Sequence, residues 1–315
     1  MARAARHRRP SRPRRVLRST RLRVSLVLLL VIGCVVAVAL DARTPATRSA
    51  QHIAAQPLPA TRAPVPPRTY VTRTITLPAG YRSAGRQFEL REPVHAGPAR
   101  PLVLLLHGLY QDPALVERAT HASAFSDARD FTLAYPIGIG KAWNAGGCCE
   151  RDSADDVGYL VDVVHYAATL TPVDRSSVYV WGFSNGAMMA WRAVCQADGV
   201  FAGAGVMSGA LLVACPRVVH VVHLHGLADV TVPYRGGPSS YLRTVLPDSA
   251  SEGARLVRGS TLEVRLLEGV GHDWPTLRRG GVDALAVMWD GLRRYRVSRP
   301  TIFAPTALVA GATPG

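Results

Sequence analysis

The apolar residues of this chain fall into short continuous runs separated by longer stretches with helical spacing. Tyr70–Leu77 and Gln87–Arg91 alternate enough to predict an opening pair of strands. Pro101–Leu106 is apolar without interruption, as a parallel strand covered on both faces requires, and Phe131–Tyr135 repeats the pattern. Ser177–Trp181, Ala202–Met207, Val218–Leu224 and Leu262–Leu267 supply further strands. Between them the spacing predicts helices over Ala114–Ala128, Asp155–Leu170, Asn185–Gln196 and Val282–Tyr295, with a long loop over 136–153. Strands alternating with helices predict an α/β fold whose mostly parallel central sheet carries helices on both faces. No internal repeat and no large lid insertion interrupt the rhythm.

The flanks break it. Residues 1–23 are basic, and residues 24–40 are apolar apart from Ser25, Gly33 and Cys34. A basic flank before an apolar run is the pattern of an export signal or a membrane anchor. Three fates stay open: cleavage at Ala37-Val38-Ala39, lipidation at Cys34 within Val31-Ile32-Gly33-Cys34, or retention as an uncleaved anchor. Each places the remainder outside the cytoplasm, extracellular or at the cell surface. Residues 41–68, rich in Pro, Ala, Thr and Arg, read as a disordered linker and 300–315 as a disordered tail, which leaves 69–299 as the folded domain.

Charge adds less than its total suggests. The formal charge is +15, but ten arginines and no acid lie in residues 1–24. From residue 69 onward 23 basic residues face 21 acidic ones. A nucleic-acid-binding domain carries its charge on the fold, so that class is excluded. Beyond Cys34 there are four cysteines, an even number that in an exported domain predicts disulfides. Cys195–Cys215 is the expected pair, with Cys148 and Cys149 bridged to each other or left as thiols.

In a parallel sheet ligands gather at the carboxyl ends of the strands, and the chemically suggestive residues stand there. Gly182-Phe183-Ser184-Asn185-Gly186 joins a strand to a helix in the order of a nucleophile elbow, with small residues on either side of the serine. A serine needs a base, and the base needs a group to fix its tautomer. His272, in Gly271-His272-Asp273-Trp274-Pro275, is the expected base, and Asp229, after the strand ending at His225-Gly226, the expected orienting acid. His107, His223 and His225 are rivals better explained by loop shape or core packing. Asp273 adjoins His272, but neighbouring loop side chains point apart, and Asp283 fits the start of the last helix. The backbone N–H of Asn185 and of Leu109 are the expected oxyanion donors. Tyr110, Trp143, Tyr234 and Trp274 lie near the strand ends and either line a substrate pocket or pack the loops. Asp155 and Asp156 read as helix-terminal charges. No metal cluster, phosphate loop or dinucleotide fingerprint is present, and the chemistry needs no cofactor.

The ordered set Leu106-His107-Gly108 with Gln111, Trp143-Asn144-Ala145-Gly146-Gly147-Cys148-Cys149, Asp155-Asp156-Val157-Gly158-Tyr159-Leu160, the elbow with Ala187-Met188-Met189-Ala190, Cys195, Cys215, His225-Gly226 with Asp229 and Val232-Pro233-Tyr234, and Gly271–Pro275 resembles the polyhydroxybutyrate depolymerase-like esterases of the α/β-hydrolase superfamily. Feruloyl and acetylxylan esterases are relatives of that family. The resemblance covers roughly residues 70–296 and implies Ser184 as nucleophile, Asp229 as orienting acid and His272 as base. It also implies small or oligomeric esters as substrates; a membrane is a partner only through an uncleaved N-terminal segment. A cell-envelope acyltransferase would share the acyl-enzyme and differ only in the acceptor. A catalytically inactive surface binding protein on the same fold would not need all three side chains.

Overall fold

The structure is a computed structural model and describes residues 69–95, 97–149, 153–298 and 300. The basic segment, the apolar run, the linker and all but the first residue of the tail lie outside the described residues. Among the described residues ten strands run in chain order: β1 Tyr70–Thr76, β2 Gln87–Pro93, β3 Arg100–Leu106, β4 Thr132–Pro136, β5 Val173–Phe183, β6 Gly203–Met207, β7 His220–Gly226, β8 Gly237–Pro238, β9 Val245–Leu246 and β10 Thr261–Leu267. Five helices accompany them: α1 Pro113–Thr120, α2 Ala122–Arg129, α3 Asp156–Leu170, α4 Asn185–Gln196 and α5 Ala284–Leu292.

Eight strands form one sheet in the order β1-β2-β4-β3-β5-β6-β7-β10, antiparallel over the first three and parallel from β4 onward. The long strand β5 sits between β3 and β6 and ends at the elbow. Side-chain alternation divides the core in two. Leu102, Leu104, Leu106, Val178 and Val180 face α3 and α4, whereas Val103, Leu105, Tyr179 and Trp181 face α1, α2 and α5. Both faces of the central strands are therefore dry. This explains why those strands read as unbroken apolar runs.

Departures from the expected elements have local causes. The single helix expected over 114–128 is two, because His121 takes a left-handed φ of 54° and ends α1. Thr120 stabilises the break: its hydroxyl donates to Val116 O and accepts from the Ala122 N–H. The last helix is shorter than expected; Asp283 caps it by accepting the Ala286 N–H. Asp155 caps α3 in the same way through the Gly158 N–H, as a helix-terminal charge should. The β8–β9 hairpin and the 3-10 turn Ser249–Arg255 had no apolar period to announce them.

Both cysteine pairs are bridged. Cys195 on α4 joins Cys215 ahead of β7, and Cys148 joins Cys149. The first closes a span of 20 residues around β6. Limiting the freedom of such a loop in the unfolded chain contributes about 3 kcal/mol. Replacing both Cys195 and Cys215 by alanine should lower the urea midpoint, by an amount equivalent to about 3 kcal/mol of unfolding free energy, and raise the slope as the unfolded chain expands. An unchanged midpoint would show that the bridge adds nothing beyond the packing around it.

Candidate active site

Ser184 stands between the end of β5 and the start of α4 with φ 55° and ψ −122°, a conformation costly for a residue with a Cβ. The turn closes only because its neighbours lack side chains. A Cβ on Gly182 would lie 2.3 Å from Gly186 O, and one on Gly186 would lie 2.4 Å from His107 O and 2.5 Å from Leu106 O. These obstacles are backbone atoms, which cannot swing aside. The Ser184 N–H is held by Met207 O at 2.9 Å.

Three side chains from distant parts of the chain meet at this rim. His272 Nε2 lies 2.8 Å from Ser184 Oγ, and His272 Nδ1 lies 2.7 Å from Asp229 Oδ2. The other oxygen of Asp229 accepts the N–H groups of Thr231 and Val232 at 2.9 and 2.8 Å. An ionised carboxylate only accepts, so His272 carries its hydrogen on Nδ1 and presents a bare Nε2 to the serine hydroxyl. Burial by itself would raise the Asp229 carboxyl. The hydrogen bond from His272, with that from the Val232 amide, outweighs burial and holds it below the ordinary aspartate value. The ring of Phe183 packs against His272 at 4.9 Å between centroids, and Trp274 buttresses Phe183 edge-on at 6.4 Å.

The two amides expected to face an oxyanion belong to a tightly braced corner. Gln111 Oε1 accepts the Gly108 N–H, and the Tyr110 N–H goes to Lys141 O. Between them the Leu109 N–H makes no hydrogen bond to protein among the described residues, and neither does the Asn185 N–H at the first turn of α4. The Asn185 side chain pairs twice with the Trp143 backbone, accepting its N–H at 2.8 Å and donating to its carbonyl at 3.0 Å. The Trp143 indole N–H in turn donates to His107 O. His107 accepts the Gly138 N–H on Nε2 and donates from Nδ1 to Gly108 O. Burial pushes the His107 ring down, which keeps it neutral in this role.

Of the four aromatics that the sequence left open between lining a pocket and packing the loops, none lines the cleft at Ser184. Trp143 is fully buried as a brace, Trp274 is buried behind Phe183, and Tyr234 packs on His223 and His225. Tyr110 is exposed and does not line the cleft. The cleft at Ser184, about 280 Å³, is lined instead by Gly108, Leu109, Gln111, Phe183, Thr231, Tyr241, Leu242 and His272. Phe183 was visible inside the elbow motif. Tyr241 and Leu242 were not, since they sit in the unannounced loop between β8 and β9. Among the rivals, His107, His223 and His225 are buried and bonded elsewhere, and Asp273 turns outward to Arg279. No cluster suited to a metal ion occurs among the described residues.

Comparison with known proteins extends this picture. No protein-family profile matches the chain. It is 28% identical over 159 residues to the bifunctional acetylxylan esterase/xylanase XynS20E of Neocallimastix patriciarum, a match covering 49% of this chain and 23% of that one. It is 31% identical over 193 residues to the "putative esterase NocK" of Nocardia uniformis subsp. tsuyamanensis, covering 56% and 54%. The matches thus span about half the length of one curated relative and a quarter of the other. Among solved structures, the fluorophosphonate-binding serine hydrolase FphF of Staphylococcus aureus superposes with a TM-score of 0.50 at 12% identity, over 71% of this chain and 98% of that one. The fold is that of the α/β-hydrolases.

The buried histidines make stability depend on pH. Burial, with His223 beside it, pushes His225 down to about 4, and His107 is lowered too. Below the ordinary histidine value of 6.5 the unfolded chain takes up protons that the folded one refuses. The stabilisation is therefore complete above about pH 7 and falls with pH, by up to about 1.4 kcal/mol per pH unit for each ring. Asp229 acts in the same sense in a lower window: its contribution is present above the ordinary aspartate value and lost as pH falls through its lowered folded value. Urea midpoints measured at about pH 7.5, 6 and 5 should fall in that order, and His225→Gln should flatten the trend. A midpoint that stays level across this window would contradict the assignment of neutral, buried rings.

Proposed function

We propose that this chain is an exported serine esterase that cleaves short-acyl carboxylic esters. The observation that carries the reading is the unbroken chain from Asp229 through His272 to Ser184 Oγ, beside two amides with no other partner. Ser184 attacks the ester carbonyl as its proton passes to His272 Nε2. Negative charge then develops on the carbonyl oxygen and is met by the N–H groups of Leu109 and Asn185. Asp229 stabilises the imidazolium without taking its proton. His272 returns the proton to the departing alcohol, leaving an acyl group on Ser184. Water then attacks the acyl carbonyl as one of its protons passes to His272, and the intermediate collapses to free the acid as His272 returns that proton to Ser184 Oγ. The groups that must receive charge are already in place, so little rearrangement opposes the step.

Substrate class follows from the cleft. A space of about 280 Å³ bounded by Phe183, Thr231, Tyr241 and Leu242 suits an acetyl to butyryl or hydroxybutyryl group better than a long chain. Tyr241 lines the cleft and is 58% exposed, and we assign the alcohol side, a sugar or an oligomer end, to that edge. The name of the XynS20E relative supports acetyl esters of carbohydrate as one such class. Export is supported by the two disulfides and by the basic-then-apolar start of the sequence.

Ser184→Ala should lower kcat on p-nitrophenyl acetate by at least about 1000-fold while the melting temperature holds, and Asp229→Asn by about 100- to 10,000-fold. A fluorophosphonate probe should label the wild type at Ser184, as read by peptide mass spectrometry. Undiminished hydrolysis by Ser184→Ala would refute the reading. Turnover of octanoyl esters matching that of acetyl esters would refute the short-acyl part of it.

A further inference from the structure

β7 places His223 and His225 on the same side of the sheet, two positions apart, and both rings are fully buried. The ester chemistry uses neither. They face the turn Ser249–Arg255, where Glu252 is buried as well. His223 Nδ1 lies 2.8 Å from Glu252 Oε2, His223 Nε2 lies 2.9 Å from His225 Nδ1, and His225 Nε2 lies 2.6 Å from Val232 O. The second oxygen of Glu252 accepts the Leu211 N–H. The other groups against the pair are Tyr234, 5.3 Å from His225 between ring centroids, and Trp191, 6.5 Å from His223.

The hydrogens of this chain can be placed by elimination. A carbonyl oxygen only accepts, so His225 Nε2 carries a hydrogen. Burial keeps that ring neutral at pH 7, so its Nδ1 is bare and accepts from His223 Nε2–H. One proton is left to bridge His223 Nδ1 and Glu252 Oε2. The polarity of the chain is thereby fixed, from Glu252 to His223 to His225 to Val232. It does not stop there. The Val232 N–H donates to Asp229 Oδ1, while Asp229 Oδ2 holds His272. His225 Nε2 also stands 3.7 Å from Asp229 Oδ2, too far for a hydrogen bond but near enough for its N–H dipole to favour the charged carboxylate.

From these contacts we infer that Glu252, His223 and His225 are positioning residues, a buried polar relay that locks Val232 and through it turns Asp229 toward His272. Apolar side chains of the same volume would fill the space without dictating how the 229–232 turn is rotated. A fully bonded polar chain permits one rotation, because any other strands a buried donor or acceptor. The relay's value for turnover rests on the serine-esterase reading; its effect on His272 does not.

The test compares the full chain with His225→Phe, which fills the ring's volume without either nitrogen, and with His225→Gln, which keeps an N–H within reach of Val232 O. His225→Phe should lower kcat on p-nitrophenyl acetate about tenfold or more with KM within about twofold. It should also move the Nδ1–H proton resonance of His272 upfield as its hydrogen bond to Asp229 weakens, read by NMR of protein labelled with 15N-histidine. His225→Gln should restore both. A folded His225→Phe protein with the wild-type His272 Nδ1–H resonance overturns the inference, since a merely structural role would move the melting temperature alone. Should His225→Phe not fold, the wild type decides: 15N shifts must report Nε2–H and a bare Nδ1 at His225, and the reverse tautomer overturns the relay. The resonance needs no turnover, so loss of the esterase reading would be seen separately, as hydrolysis that survives Ser184→Ala.

Discussion

The main chain at Ser184 is forced into a conformation that a residue with a Cβ resists, and the surroundings must hold it there. The strain is of order 1–3 kcal/mol. It is offset by β5, paired on both sides, and by α4, whose residues from Asn185 to Trp191 are all buried. Space is the other half of the constraint. Gly186 lets the first turn of α4 approach the carbonyls at the end of β3 so closely that a single methyl group would collide with two of them. Strand end, serine and helix start are consequently one rigid object, and the hydroxyl is presented without a flexible linker.

That rigidity spreads through polar contacts between segments far apart in the chain. Asn185 reads both backbone groups of Trp143, Trp143 reaches His107, and His107 ties residue 138 to Gly108. The loop that carries the vicinal cysteine pair is fastened further by the Asn144 N–H to Asp156 and by Arg192 to Asn144 O. The result sets the spacing of two unpartnered amides beside Ser184. Under the proposed mechanism such fixed dipoles do most to lower the barrier, because they need not reorganise as charge appears.

The acid side is built by a different rule. Asp229 and Asp273 both lie near His272, yet only Asp229 is drawn into the interior, where two amides and an imidazole fix its oxygens. Asp273 meets solvent and Arg279, and its charge is screened. Burial makes Asp229 useful and also costly. The cost is offset by the hydrogen bonds around it, and the relay through Val232 and His225 belongs to that support.

Much of this was legible along the chain. Unbroken apolar runs marked the central strands because both their faces are dry, and the glycines around Ser184 marked the elbow because only glycine fits. His272 and Asp229 stood out because each follows a strand whose carboxyl end must face the ligand side. The break at His121 and the hairpin carrying Tyr241 were hidden, since a left-handed residue and a two-residue strand leave no period. For Trp143 and Tyr234 the sequence left pocket and packing both open, and in the structure they pack. Aromatic identity says that a side chain is large and amphipathic, not which neighbour will take its polar edge. The layering of the sheet and the kinds of side chain at its rim follow from local periodicity and backbone sterics, and both can be read from the order of residues. Which carboxylate meets which histidine, which aromatics face the cleft and how two buried histidines link Glu252 to the 229–232 turn depend on distances between residues tens of positions apart, which only folding sets.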